Sequence, residues 1–186
     1  MSTDALDVAF ICTGNRFRSP LAAALLAAER PDLPLRISSY GTLELGAARA
    51  LVEAVEFAAA FGADLSAHRS ASLAGADLED SDLVLGFERH HLAAAVVDAK
   101  ARPERTFTLP ELVGLLAKAS SSHSEAGPVQ RARSRIQAAH RSRPPDFRRR
   151  RPAELADPLG RPRAVQEKIA EELRAYVFFL ASHLFD

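Results

Sequence analysis

Apolar positions along this chain fall into short continuous blocks separated by longer stretches with helical spacing. Residues 7–11 (Asp-Val-Ala-Phe-Ile) read as a buried parallel strand. Ser19-Pro20 then opens an alanine- and leucine-rich helix to about Arg30, with Ser19 as N-cap and Pro20 in the first helical position. Residues 35–40 form a second strand closed by Gly41. Residues 47–61 carry Leu51, Val55, Ala58 and Ala59 at helical spacing and stop at Gly62. A third strand at 82–87, a helix at 88–100, a fourth strand at 105–109 and a helix at 110–119 complete the alternation. This rhythm predicts an α/β fold: a doubly wound, four-stranded parallel sheet with helices on both faces, in a single domain spanning 1–186.

Residues 120–156 break the rhythm. The stretch 120–128 is linker-like, 129–140 reads as a basic helix, and 141–152 is a proline- and arginine-rich loop. The expectation for 120–152 is a flexible, solvated insertion. A last helix over 164–183 places Val165, Ile169, Leu173, Tyr176, Val177 and Leu180 on one face.

Composition narrows the class. With 47% apolar and 26% charged residues the chain is ordinary globular material, which excludes disordered, collagenous and fibrous proteins. No stretch reaches the roughly 18 to 20 apolar residues of a membrane helix, and the first residues lack the pattern of a secretory signal. The one cysteine, Cys12, permits neither an internal disulfide nor a cysteine-clustered zinc site. A cytoplasmic protein is expected. The formal net charge of zero hides an asymmetry: residues 131–163 hold eleven arginines against Asp146, Glu154 and Asp157. An acidic partner is one expected use of that segment. Specific nucleic-acid binding is not expected, because Phe147 alone interleaves an aromatic ring with the arginines.

The candidate chemistry lies at 12–18, Cys-Thr-Gly-Asn-Arg-Phe-Arg, a C-x5-R loop between a strand and a helix N-terminus. Loop amides and the helix terminus converge on an anion there, and the same field favours a thiolate nucleophile. Thr13, Gly14, Asn15, Arg16 and Phe17 would wrap a phosphate, and the planar fork of Arg18 would grip two of its oxygens. Gly14 lets backbone approach the ligand, and Asn15 tolerates a left-handed conformation. A lone cysteine after an apolar strand is more commonly a small buried hydrophobe. The surrounding pattern, with Arg18-Ser19-Pro20 opening a helix, favours the nucleophile.

These residues resemble the low-molecular-weight protein tyrosine phosphatase family, which includes related arsenate reductases. The signature is Val8-Ala-Phe-Ile-Cys-Thr-Gly-Asn-Arg-Phe-Arg-Ser-Pro20. Ser38-Ser-Tyr-Gly-Thr42, Gly62-Ala-Asp-Leu-Ser-Ala-His-Arg-Ser70, the strand at 82–87 and Asp157-Pro158 follow in the family's order, so the likeness covers most of the chain outside 120–152. It implies a hydrolase of phosphorylated protein, phosphotyrosine above all, or of small phosphomonoesters, working through a phosphocysteine on Cys12. Asp157 would act as general acid and then base, Ser19 would support the thiolate, and Asn15 would hold the loop with Ser39 and His68. No metal or other cofactor is implied. His68 is equally readable as a surface histidine, Arg16 as a pocket-mouth residue favouring an acidic substrate or as a solvated one, and His90-His91 beside Glu88 as a solvated helix face.

Two departures stand out. Phe17 replaces the second loop cysteine common in the family, which removes protection by a local disulfide. Leu159 follows Asp157-Pro158 where tyrosine is frequent, so an aromatic wall for a phosphotyrosine ring must come from elsewhere, with Tyr40, Phe17, Leu43 and Phe87 as candidate replacements. Two other functions fit the same loop. One is an arsenate reductase in which a small thiol attacks the Cys12 adduct; the relay version needs further cysteines. The other is a non-catalytic phosphate-loop binding protein.

Overall fold

The computed structural model describes residues 5–118, 126–147 and 149–186. Four parallel strands, β1 (Leu6–Cys12), β2 (Leu35–Gly41), β3 (Leu83–Gly86) and β4 (Thr106–Thr108), form one sheet in the order β2-β1-β3-β4. β1 is central and lies parallel between β2 and β3, with Cys12 opposite Gly41 at its C-terminal end.

Alternation along β1 divides the core between the two sheet faces. Leu6, Val8, Phe10 and Cys12 turn to one face, where they meet α1 (Arg18–Glu29), α2 (Val52–Ala60), α4 (Leu109–Leu116), α5 (Pro128–Arg141) and α6 (Arg163–Phe185). Ala9 and Ile11 turn to the other, against Ala95 and Ala99 at the inner side of α3 (Arg89–Asp98) and its exit. The α/β class, the parallel sheet and the helices on both faces are as the hydrophobic pattern predicts. Strand order reverses direction about β1, so its C-terminal end is the switch point where such sheets place ligands.

Three elements differ from the expectation. The first helix begins at Arg18, so Ser19 is not its N-cap; its hydroxyl is turned onto Cys12 instead. The second helix starts at Val52 rather than 47, because tertiary partners claim the backbone before it. Ala48 N donates to Ser70 Oγ, Arg16 Nε to Arg49 O, and Leu51 N to Arg16 O.

The third difference concerns the basic insertion. Part of it packs onto the core, while 144–147 and 149–151 form a largely exposed loop. α5 buries Val129, Ala132, Ile136 and Ala139 in the main core. Arg143 is nearly buried, forks onto both oxygens of Glu111, donates to the carbonyls of Pro103 and Thr106, and lies 3.8 Å over the Phe107 ring. Arg133 pairs with Asp82, Arg131 donates to the carbonyl of Phe185, and Arg135 to that of His183. Arg148 and the linker at 120–125 lie outside the described residues.

The candidate active site

The phosphate loop hangs between the C-terminal end of β1 and the first turn of α1. Asn15 takes the left-handed conformation, φ +50°, which an asparagine accepts at small cost. Its side chain then bonds in three directions: Nδ2 to Ser19 Oγ at 2.8 Å and to Ser39 Oγ at 2.9 Å, and Oδ1 from Ala71 N at 2.8 Å. The His68 ring closes the set through Nε2 and the Asn15 carbonyl, 2.8 Å apart. Gly41 makes this crossing feasible, since a Cβ there would lie 3.1 Å from both Asn15 and Gly14.

Cys12 is buried, its Sγ 3.0 Å from Ser19 Oγ and 3.2 Å from the Asn15 amide. Both neighbours are able to donate to a sulfur carrying negative charge. Arg18 is 2% exposed. It donates to Glu88 and to the Leu155 carbonyl through Nη1, and its Nη2 forms an ion pair with Asp157 Oδ2 at 2.9 Å. The backbone carries Asp157 here from far along the chain: Leu155 N donates to Phe87 O at the end of β3, while its carbonyl accepts from Arg18. Cys12, Arg18, Ser19 and Asp157 thus meet at one place, with Asn15, Ser39 and His68 bracing the loop behind them.

Above Cys12 opens a cavity of about 280 Å³ whose walls are Leu43, Leu45, Leu51 and Leu159, with Arg16 and Asp157 at its polar edge. Of the suggested aromatic walls, Phe17 alone lines this space, and Tyr40 and Phe87 do not. Tyr40 packs with the smaller core on the opposite sheet face, Phe87 is fully buried beneath Arg18, and Phe17 lies against Phe57. The apolar lining is mainly aliphatic, with Phe17 and Leu43 contributing as foreseen.

Known proteins resemble this chain in sequence and fold. The family model described as low molecular weight phosphotyrosine protein phosphatase matches residues 7–125. The chain belongs to this family. It is an enzyme of the phosphatase class, with Cys12 in the phosphate-loop region. A protein-arginine-phosphatase from Bacillus subtilis is 34% identical over 111 residues, 58% of this chain and 73% of the relative. A probable low molecular weight protein-tyrosine-phosphatase, EpsP of Ralstonia nicotianae, is 41% identical over 76 residues, 40% and 50% of the two chains. Among solved structures, the low molecular weight protein tyrosine phosphatase of T. tengcongensis superposes with a TM-score of 0.69 at 27% identity, covering 95% of this chain and 98% of the other. The arginine phosphatase YwlE of Geobacillus stearothermophilus gives 0.64 at 26% identity, over 95% and 91%.

In this phosphatase two site residues escape a reading by sequence alone, Glu88 and His91. The histidine is fully buried rather than solvated. Its Nδ1 accepts from the amides of Phe87 and Glu88, so the proton sits on Nε2, which donates to Thr13 Oγ1 at 3.1 Å. Burial first, then the charge of Arg18, pushes its pKa down to about 3, and the ring stays neutral. Gly86 lets α3 come this close, because a Cβ there would lie 2.9 Å from that of His91. Glu88, at the N-cap of the same helix, forms a capping box with His91 and also holds Arg18. The available signal was the Glu-x-x-His spacing directly after a strand end at the switch point.

Glu88, His90 and His91 bring one ligand atom each within 4.8 Å of one another. Both His91 nitrogens are engaged and Glu88 holds Arg18, so the donor set is committed to the loop rather than to a cation.

Proposed function

We propose that this phosphatase hydrolyses phosphotyrosine through a phosphocysteine on Cys12. The cavity carries the substrate assignment: Leu43, Leu45, Leu51 and Leu159 offer apolar walls to a phenyl ring, and Asp157 is the one carboxylate lining it. A phosphoguanidinium would need carboxylates along its length and would meet the positive charge of Arg16.

In the first step Cys12 Sγ attacks phosphorus in line with the bond to the phenolic oxygen. The S–P bond forms, the P–O bond breaks, and Asp157 gives its proton to the departing oxygen. In the second step Asp157 takes a proton from water as that water attacks phosphorus, and the S–P bond breaks to release phosphate. The Ser19 hydroxyl and the Asn15 amide receive the charge that returns to sulfur. Arg18 neutralises the equatorial phosphate oxygens throughout.

Asp157 is engaged by Arg18 before substrate arrives. A phosphate that takes the guanidinium fork releases Asp157 toward the leaving oxygen, so substrate binding itself arms the acid. The thiol, the fork and the acid form a complete set for hydrolysis without further cysteines, which favours a phosphatase over an arsenate reductase or an idle binding protein.

Dephosphorylation of phosphoarginine is the second reading, favoured by the 34% identity to the Bacillus subtilis protein-arginine-phosphatase. One assay separates the two: kcat/KM for a phosphotyrosine peptide against a phosphoarginine peptide of the same sequence. A higher value on phosphotyrosine is expected, and the reverse order transfers the assignment to phosphoarginine.

A further inference from the structure

Arg18, Arg30, Arg36, Arg102, Arg133, Arg143, Arg150, Arg151 and Arg163 are each paired with a carboxylate. Arg16, Arg49 and Arg69 have no carboxylate within ion-pair distance among the described residues. The three lie together beside the mouth of the active site. Arg16 lines the cavity, and its Nε donates to the backbone carbonyl of Arg49 at 2.7 Å. Arg49 forms an antiparallel bridge with Arg69, a pairing that sets two Cα atoms about 5 Å apart. Arg69 directly follows His68, the ring bonded to the phosphate loop, and its guanidinium donates to the carbonyls of Ala67 and His68. Arg49 and Arg69 are exposed. Of the acids in the flanking segments, Glu44 accepts from the Gly46 amide and Glu53 stands in the first turn of α2, and neither forms an ion pair with the three arginines.

Three positive charges of this kind, held close together by backbone contacts, repel one another and await an anion. From this placement we infer that the enzyme selects phosphotyrosines embedded in acidic sequence, with Arg16, Arg49 and Arg69 receiving Asp or Glu side chains that flank the phosphorylated residue. This rests on the phosphotyrosine reading and specifies its substrate class. The contact forms outside the reacting centre, so it acts on capture of the peptide and leaves the bond-breaking steps alone.

The test uses the full chain and three phosphotyrosine peptides of equal length with acidic, uncharged and basic flanks, beside p-nitrophenyl phosphate. At low salt the acidic peptide is expected to exceed the uncharged one in kcat/KM by roughly tenfold, with the basic peptide lowest, and the spread is expected to shrink as salt rises. In the double variant Arg49→Glu/Arg69→Glu, both changes at exposed positions, the acidic preference is expected to vanish while p-nitrophenyl phosphate turnover stays within about twofold. Equal rates on the three wild-type peptides would overturn the inference, as would a preference that survives the double variant. If every phosphotyrosine peptide is inert while p-nitrophenyl phosphate is hydrolysed, the phosphotyrosine reading fails and the inference falls with it.

Discussion

Around the nucleophile, the polar groups of the phosphate loop bond to one another; in the arginine-rich stretch 131–163 several charges pair with carboxylates of other elements. Cys12, Asn15 and Ser19 sit within one loop and the turn after it, bonded to one another at 2.8 to 3.2 Å. Arg133, Arg143 and Arg163 instead find Asp82, Glu111 and Glu56, residues from three other elements or their flanks. The first region is organised to receive a charge that arrives with the substrate. In the second, several charges are already spent on holding α5 and its exit against the sheet. A high local arginine content therefore says little about a binding surface until the partners are known.

The most severe break in this contrast is Cys12→Ser. Hydrolysis of p-nitrophenyl phosphate is expected to fall roughly 10³- to 10⁶-fold, since a serine hydroxyl at the same place lacks the thiolate. Asp157→Asn follows, with a loss of roughly 10²- to 10⁴-fold on substrates with poor leaving groups and a much smaller one on p-nitrophenyl phosphate. A leaving-group series that shows equal losses would remove Asp157 from the acid role.

On the other side of the comparison, Arg143→Gln leaves Glu111 largely buried without its partner. A destabilisation of about 3 kcal/mol in denaturant melts is expected, against less than about 0.5 kcal/mol for the exposed Arg141→Gln. Similar midpoints for the two variants would contradict the division drawn between paired and solvated arginines.

A last effect concerns pH. A folded-state pKa of about 3 for His91 lies below its unfolded value of 6.5, so between those limits the unfolded chain binds a proton that the folded chain refuses. Stability supplied by neutral His91 is present above pH 6.5 and declines as pH falls through that window, by up to about 1.4 kcal/mol per unit. In His91→Asn the slope of unfolding free energy against pH is expected to flatten across that window. A slope identical to wild type would show that the ring does not titrate on unfolding.

Residues 12–18 were recognisable without a structure because their chemistry is local: a nucleophile, an αL-tolerant asparagine and an arginine at the start of a helix define the loop by spacing alone. β1 and β3 were visible for a related reason, as buried parallel strands read as near-continuous apolar runs. Element ends were less legible. Ser19 has the composition of an N-cap, yet the sulfur of Cys12 claims its hydroxyl, and 47–51 stays extended because Arg16 and Ser70 take its backbone groups.

Sequence by itself determined the order of strands and helices, the C-x5-R loop, and an Asp-Pro pair that is the natural candidate for the acid. Tertiary structure alone decided that Leu155 strings Asp157 between Phe87 and Arg18, that His91 is a buried neutral donor to Thr13, and that Arg16, Arg49 and Arg69 stand together beside the cavity without a carboxylate partner. The physical reason is range. Backbone conformation and loop chemistry depend on neighbours a few residues away, whereas the pairing of a charge depends on which distant carboxylate the fold brings within about 3 Å.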